Sequence, residues 1–193
     1  PWDQRLCAVP DGDMFAAIRE GRANVVTDSI DCFNASGIRL QSGAQLDADI
    51  IILATGLNLK FAGGVQYSID QKPIDFTRHF VYRGMMFSDI PNLAFVVGYT
   101  NSSWTLKADL TNSYVCRLLN RMARSGCKSV TPRIKQPIDE QPLLDFDAGY
   151  VLRSRAQFPK QGDRFPWKVY QNYIQDFFSL GFGSLKDPEL EFS

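Results

Sequence analysis

The sequence has a single histidine, His79, and four cysteines, Cys7, Cys32, Cys116 and Cys127, with no CxxC pair among them. That spacing offers no Cys/His ligand set, so a zinc site is not expected. The scattered thiols read as reduced cysteines of a cytoplasmic protein. His79 lies between Arg78 and Phe80 in an irregular stretch, a poor setting for a Ser-His-Asp triad. Neither sign of charge is in excess: Lys and Arg number 21, and Asp and Glu number 21. The basic face of a nucleic-acid binder is therefore not expected. No apolar run approaches the ~20 residues that span a bilayer, and no signal-peptide pattern is present. GxGxxG, GxSxG, HExxH and P-loop patterns are all absent, and with the first goes the phosphate-cradling turn of a dinucleotide fold. There is no internal repeat and no low-complexity tract. The chain opens on Pro1 rather than Met, which suggests a fragment or a processed product.

What is present suffices for a domain with a real core: 193 residues, 45% of them hydrophobic. The 14 Phe, 7 Tyr and 3 Trp suit a core or a flat apolar ligand equally well. Residues 10–22 read as a helix capped by Asp11 or Asp13, with Met14, Phe15 and Ile18 on its apolar face. Val25-Val26, Ile30–Phe33 and Ile38–Leu40, separated by turn residues, read as a small antiparallel meander. Ile50 to Ala54 is different in kind: five consecutive apolar residues predict a strand buried on both faces, as in a parallel sheet. A second such strand is predicted over 92–97. The longest helix is expected from Trp104 to Ser125, with Leu106, Leu110, Tyr114, Leu118 and Met122 at spacing four, and Gly126 closing it. Residues 129–148 read as an extended connector and 151–158 as a short helix. Residues 166–180 read as a further helix, with Pro at its start and Gly181 at its end.

Two features could carry chemistry. The first is the strand ending Ala54-Thr55-Gly56. Ligands of open α/β sheets bind beyond the carboxyl ends of strands, and Gly56 would allow a close backbone approach. A tight turn is the plainer reading of the same residues. The second is the strand 92–97, the loop from Gly98 to Ser103 and the start of the long helix. Unpaired N–H groups and a partial positive charge make a helix N-terminus a site for an electron-rich ligand edge, such as the N1–C2=O side of an isoalloxazine ring. The N–H groups of Thr105 and Leu106 would face it. Against this stands a purely structural helix capped by Ser102 or Ser103.

A resemblance joins these features. Asp47-Ala48-Asp49, Ile50–Leu53 and Ala54-Thr55-Gly56 together resemble the second marker of flavin-containing, N-hydroxylating and Baeyer–Villiger monooxygenases. Other stretches are similar to the subgroup of the ethionamide-activating Baeyer–Villiger monooxygenase. They are Pro1-Trp2-Asp3-Gln4-Arg5-Leu6-Cys7, Val9-Pro10-Asp11-Gly12-Asp13, Lys72-Pro73-Ile74-Asp75-Phe76, Gly84-Met85-Met86-Phe87-Ser88-Asp89-Ile90-Pro91-Asn92, Gly98-Tyr99-Thr100-Asn101-Ser102-Ser103-Trp104-Thr105-Leu106-Lys107 and Phe158-Pro159-Lys160-Gln161-Gly162. The similarity runs from residue 1 to residue 193.

The resemblance implies an α/β fold: the C-terminal part of a flavoprotein with two Rossmann-like dinucleotide-binding domains. Residues 1–54 would be the tail of the NADPH-binding domain, and 57–193 part of the FAD-binding domain with a helical extension. It implies FAD and NADPH as cofactors, O2 as co-substrate, and a small apolar ketone, sulfide or amine that takes one oxygen by way of a peroxyflavin. Thr55, Gly56, Gly98, Asn101, Trp104, Thr105 and Leu106 would contact cofactor. Arg5 matches the arginine that such enzymes use to hold the flavin peroxide as its anion, although its neighbours depart from the common Lys-Arg-Pro-Leu-Cys form. A structural arginine on a domain-interface loop is its other reading. Neither the GxGxxG turns nor the Baeyer–Villiger fingerprint is in this chain, so the isolated 193 residues are expected to be inactive. Two alternatives stand beside this one: a non-catalytic domain that uses the same scaffold for protein association, with exposed apolar patches favouring homodimers, and an N-hydroxylating relative.

Overall fold

The computed structural model describes residue 9 and residues 11–100, 102–145 and 147–193. They fall into two compact units, divided between Leu57 and Asn58. Among the described residues no helix is long and apolar enough to cross a membrane, and no group of three His, Cys, Asp or Glu could hold a metal ion. Cys32, Cys116 and Cys127 are free thiols.

In the first unit, helix α1 (Asp13–Arg19) follows Gly12, whose φ of 69° only glycine adopts without strain. No side chain caps it, contrary to the expectation for Asp11 or Asp13; Asp13 is its first helical residue, where its charge complements the dipole. Strands β1 (Ile30–Asn34), β2 (Gly37–Leu40) and β3 (Gln45–Asp47) form the antiparallel meander, with Phe33 opposite Ile38 and Ile38 opposite Leu46. The turn from β1 to β2 is closed by Asn34, whose Oδ1 accepts from Ser36 N at 3.1 Å. Val25 and Val26 form no strand and are exposed.

The strand predicted over 50–54 does not form. These residues join no ladder, and Ile50, Ile52 and Leu53 are 81%, 84% and 70% exposed. A run that is apolar on both faces becomes a strand only when neighbouring strands supply hydrogen bonds and cover it. Among the described residues none does. Gly56, at φ 97°, ends the run in a conformation that favours glycine.

The second unit is built on helix α2 (Trp104–Ser125), closed as expected by Gly126 in the left-handed conformation. Its buried stripe is Lys107, Leu110, Thr111, Tyr114, Leu118 and Met122; Leu106, placed in that stripe by its spacing, is exposed. Before α2 come two short hairpins, β4 (Ser68–Ile69) with β5 (Lys72–Pro73) and β6 (Val81–Tyr82) with β7 (Met86–Phe87). The second hairpin serves two cores, because neighbouring strand residues point to opposite sides. Tyr82 and Met86 pack with Leu110, Tyr114, Leu118, Trp167 and Leu180. Val81 and Phe87 pack with Ile90 and Leu143 beside Phe61, Phe76, Phe95 and Phe158. Residues 92–97 give a bridge from Ala94 to Met86 and hydrogen bonds from Phe95 N to Met85 O and from Asn92 N to Val130 O, not the full strand predicted.

The stretch read as a connector supplies two edge strands. β8 (Val130–Pro132) pairs with β11 (Leu190–Phe192), and β9 (Gln141–Pro142) pairs with β10 (Lys160–Gln161). Helix α3 (Gly149–Ser154) lies between β9 and β10 in sequence. The helix expected over 166–180 is much shorter: α4 (Tyr173–Asp176), running on into a π-helical stretch, Phe177–Phe182. Residues 162–169 spend their backbone groups elsewhere. Gly162 N donates to Trp167 O, Trp167 N to Arg164 O, and Val169 N to the side chain of Gln161. Arg117 donates to the carbonyls of Leu180, Gly181 and Gly183, which satisfies the end of the π-helical stretch.

A buried ion pair ties the chain's last turn to the β6–β7 hairpin. Arg83 Nη2 donates to Asp187 Oδ2 at 2.8 Å, and Tyr82 Oη donates to the same oxygen at 2.7 Å. Burial pushes the Asp187 carboxyl up, but the donors Arg83 and Tyr82 outweigh it and hold it below the ordinary carboxylate value. A carboxyl so lowered contributes stability that is complete above its unfolded value and lost as pH falls through its folded one. The stability gap between the wild type and Arg83→Met, from denaturant titrations, should be widest at neutral pH and narrow below about pH 4. A gap independent of pH would remove the pair from the acid response.

Candidate cofactor site

The junction between residues 98–100 and the start of α2 brings together four of the residues singled out by sequence. Gly98 lies under the indole of Trp104: a Cβ on Gly98 would sit 2.1 Å from the ring, so any larger residue would displace Trp104. Ser103 is the N-cap, yet its hydroxyl lies 2.7 Å from the Thr105 hydroxyl and caps nothing. The structural-cap reading therefore fails for Ser103. Trp104, Thr105 and Leu106 are exposed, and the first turn carries no acidic residue. A helix start of this kind presents open N–H donors and the positive end of a 22-residue dipole.

Behind this face the junction is held rigidly. Tyr99 is buried, and its hydroxyl donates to Asp176 Oδ2 at 2.7 Å. Lys107, in the second turn of α2, donates to the same oxygen at 2.8 Å; the side chains of Lys107 and Asp176 are 2% and 8% exposed. Thr100 N donates to the side-chain carbonyl of Gln171 at 2.9 Å. Burial lowers the Lys107 ammonium from its ordinary value, and the Asp176 carboxylate opposes that shift. Burial raises the Tyr99 hydroxyl, and the bond to Asp176 adds to it, so Tyr99 stays a neutral donor. Gly84, at φ 70°, makes room for the ammonium: a Cβ there would lie 3.2 Å from Lys107 Nζ.

The structure does not test the other singled-out residues as members of this site. Thr55 and Gly56 belong to the first unit and are exposed. Arg5 and Asn101 lie outside the described residues. His79 is structural, with its Nδ1 donating to Ser88 O at 2.6 Å. Tyr99, Lys107, Gln171 and Asp176 are residues that sequence reasoning misses. One signal was available, since Lys107 and Thr111 lie at spacing four in line with Leu118 and Met122. A lysine in a buried stripe requires a partner.

No family model and no solved structure matches the chain. Curated relatives do. The FAD-containing monooxygenase EthA of Mycobacterium tuberculosis is 53% identical over 194 aligned positions, covering 100% of this chain and 40% of the relative. EthA of Mycolicibacterium smegmatis is 44% identical, covering 100% of this chain and 39% of the relative. AlmA of Acinetobacter sp, named a probable FAD-binding monooxygenase, is 47% identical over the same shares. The chain thus spans about 40% of the length of the curated relatives it matches. The residues present fit the group those names imply: among the described residues no side chain caps this helix start, and a helix N-terminus suits the electron-rich edge of a flavin. Identity of this order from one end of the chain to the other makes it similar, over its whole length, to FAD-containing monooxygenases, EthA and AlmA among them.

Proposed function

We propose that this chain forms one wall of the flavin site in an NADPH-dependent monooxygenase, with residues 98–106 facing the pyrimidine side of FAD. The uncapped, exposed first turn of α2 is the observation that carries this reading. The N–H groups of Thr105 and Leu106 donate to the N1–C2=O edge and stabilise negative charge there. Gly98 leaves room for the Trp104 ring, and Asn101, outside the described residues, is assigned to the same cofactor contact. Thr55 and Gly56 form the turn through which the chain passes from the NADPH-binding domain to the FAD-binding domain. The division of the structure after Leu57 is in keeping with that partition. FAD, when bound, supplies the redox chemistry by which one atom of O2 enters an apolar ketone or sulfide and the other leaves as water. The doubly wound sheets of such a flavoprotein would give the run at 50–54 its neighbours.

Thr105→Pro tests the reading, since a helix's first turn tolerates proline while losing one N–H. In the full-length protein it should weaken FAD retention about 10-fold or more with folding preserved, as expected for one hydrogen bond to a charged edge. Unchanged retention would count against residues 98–106 as the flavin wall. Arg5 is assigned to holding the reactive oxygen species as an anion. Arg5→Ala should leave flavin reduction by NADPH intact and divert O2 to free hydrogen peroxide, read with a peroxidase assay. Undiminished product would remove Arg5 from the mechanism.

A second reading, association through this scaffold, draws on exposed apolar side chains: Ile50, Ile52 and Leu53 in one unit, and Ile174, Phe178 and Phe182 in the other. On that reading the chain sediments as a dimer, and Phe178→Ser with Phe182→Ser returns it to a monomer. A wild-type monomer at high micromolar concentration would sink it.

A further inference from the structure

The buried pair behind the helix start has an arrangement that core stability does not require. Desolvating a lysine and an aspartate costs several kcal/mol for each ion, and apolar residues of similar volume usually do as well or better. Here a single oxygen, Asp176 Oδ2, takes donors from two sides. Tyr99 reaches it from the loop before α2, and Lys107 from the helix beyond its first turn. Those two donors bracket residues 100–106. The distance between the loop and the helix is thereby set by one atom of a third element, α4. The same C-terminal segment supplies the tie from Gln171 to the backbone of Thr100. The ring of Tyr99 also lies 5.7 Å from Lys107 Nζ, so ring and ammonium attract each other directly. The frame is buried, while Trp104, Thr105 and Leu106, which it frames, are exposed.

We propose that Asp176, Lys107 and Tyr99 form a latch through which the C-terminal segment positions the flavin-facing loop and helix start, so that Asp176 and Lys107 are positioning residues of the cofactor site. This rests on the assignment of residues 98–106 to the flavin. None of the three touches the cofactor. Their effect passes through where the helix's first N–H groups stand, and a shift of a few tenths of an ångström in a donor alters both the strength of its hydrogen bond and the charge felt at the flavin edge.

The experiment uses the full-length, flavin-loaded protein and three variants. Tyr99→Phe deletes one hydroxyl, Asp176→Asn removes the charge and keeps the shape, and Lys107→Met with Asp176→Leu replaces the pair by apolar side chains. FAD affinity, the flavin's visible spectrum, its midpoint potential and the thermal midpoint are measured for each. Asp176→Asn should weaken FAD about 10-fold or more and shift both spectrum and potential, with Tyr99→Phe moving them less in the same direction. The double apolar variant should recover much of the thermal midpoint but not the affinity, spectrum or potential. The latch is overturned if the variants change only thermal stability, or if the apolar pair restores the flavin properties. Thr105→Pro separates the two levels of inference. If it weakens FAD while the latch variants do not, the latch alone is wrong; if it too leaves the flavin untouched, the assignment beneath the latch fails with it.

Discussion

Two carboxylates removed from water, Asp176 and Asp187, govern how the second unit is put together. A carboxylate in a protein interior must be met by donors or it will not stay charged there. Asp187 is met by Arg83 and Tyr82 at the tip of the β6–β7 hairpin, and Asp176 by Tyr99 and Lys107 at the start of α2. Both belong to the C-terminal stretch that follows residue 171. That stretch is short of regular structure: one turn of α-helix, a π-helical run and a three-residue strand. Its own backbone ladder could not fix it. The two ion pairs and the grip of Arg117 on three of its carbonyls do so, and they bring it against the long helix.

The elements legible in the sequence are those whose signal is local. Trp104 to Ser125 carries its own apolar period and its own stop at Gly126, and both appear where expected. The first two strands of the meander announce themselves by the turn residues between them, and Asn34 closes that turn with its own side chain, while the third, Gln45–Asp47, stands in place of the one expected at Val25-Val26. The failures share a different cause. Hydrophobicity alone assigns Ile50–Ala54 to a buried strand, but a strand is a relation between segments, and among the described residues the relation is not met. The helix expected over 166–180 lacks its first half because Gln161 and Gly162 compete for the same backbone groups.

The candidate site shows the same division on a smaller scale. Gly98, Trp104, Thr105 and Leu106 are legible because a glycine after an apolar run and a polar loop before a long helix are readable patterns, and because the stretch resembles a known family. The curated relatives bear out that family. The residues behind the face are not legible. In the sequence Tyr99 is one more aromatic, and nothing sets Asp176 apart within the helix expected over 166–180.

The sequence by itself determined the resemblance to flavin monooxygenases, the long helix with its cap, the β1–β2 hairpin and the position of the loop before that helix. These depend on residue identity within a few turns of chain, or on similarity along the whole of it. Only the tertiary structure decided which polar groups are partners. It joined Lys107 to Asp176 and Arg83 to Asp187 across most of the second unit. Buried charges choose partners by where the packed chain leaves them, and no spacing along the sequence encodes that distance.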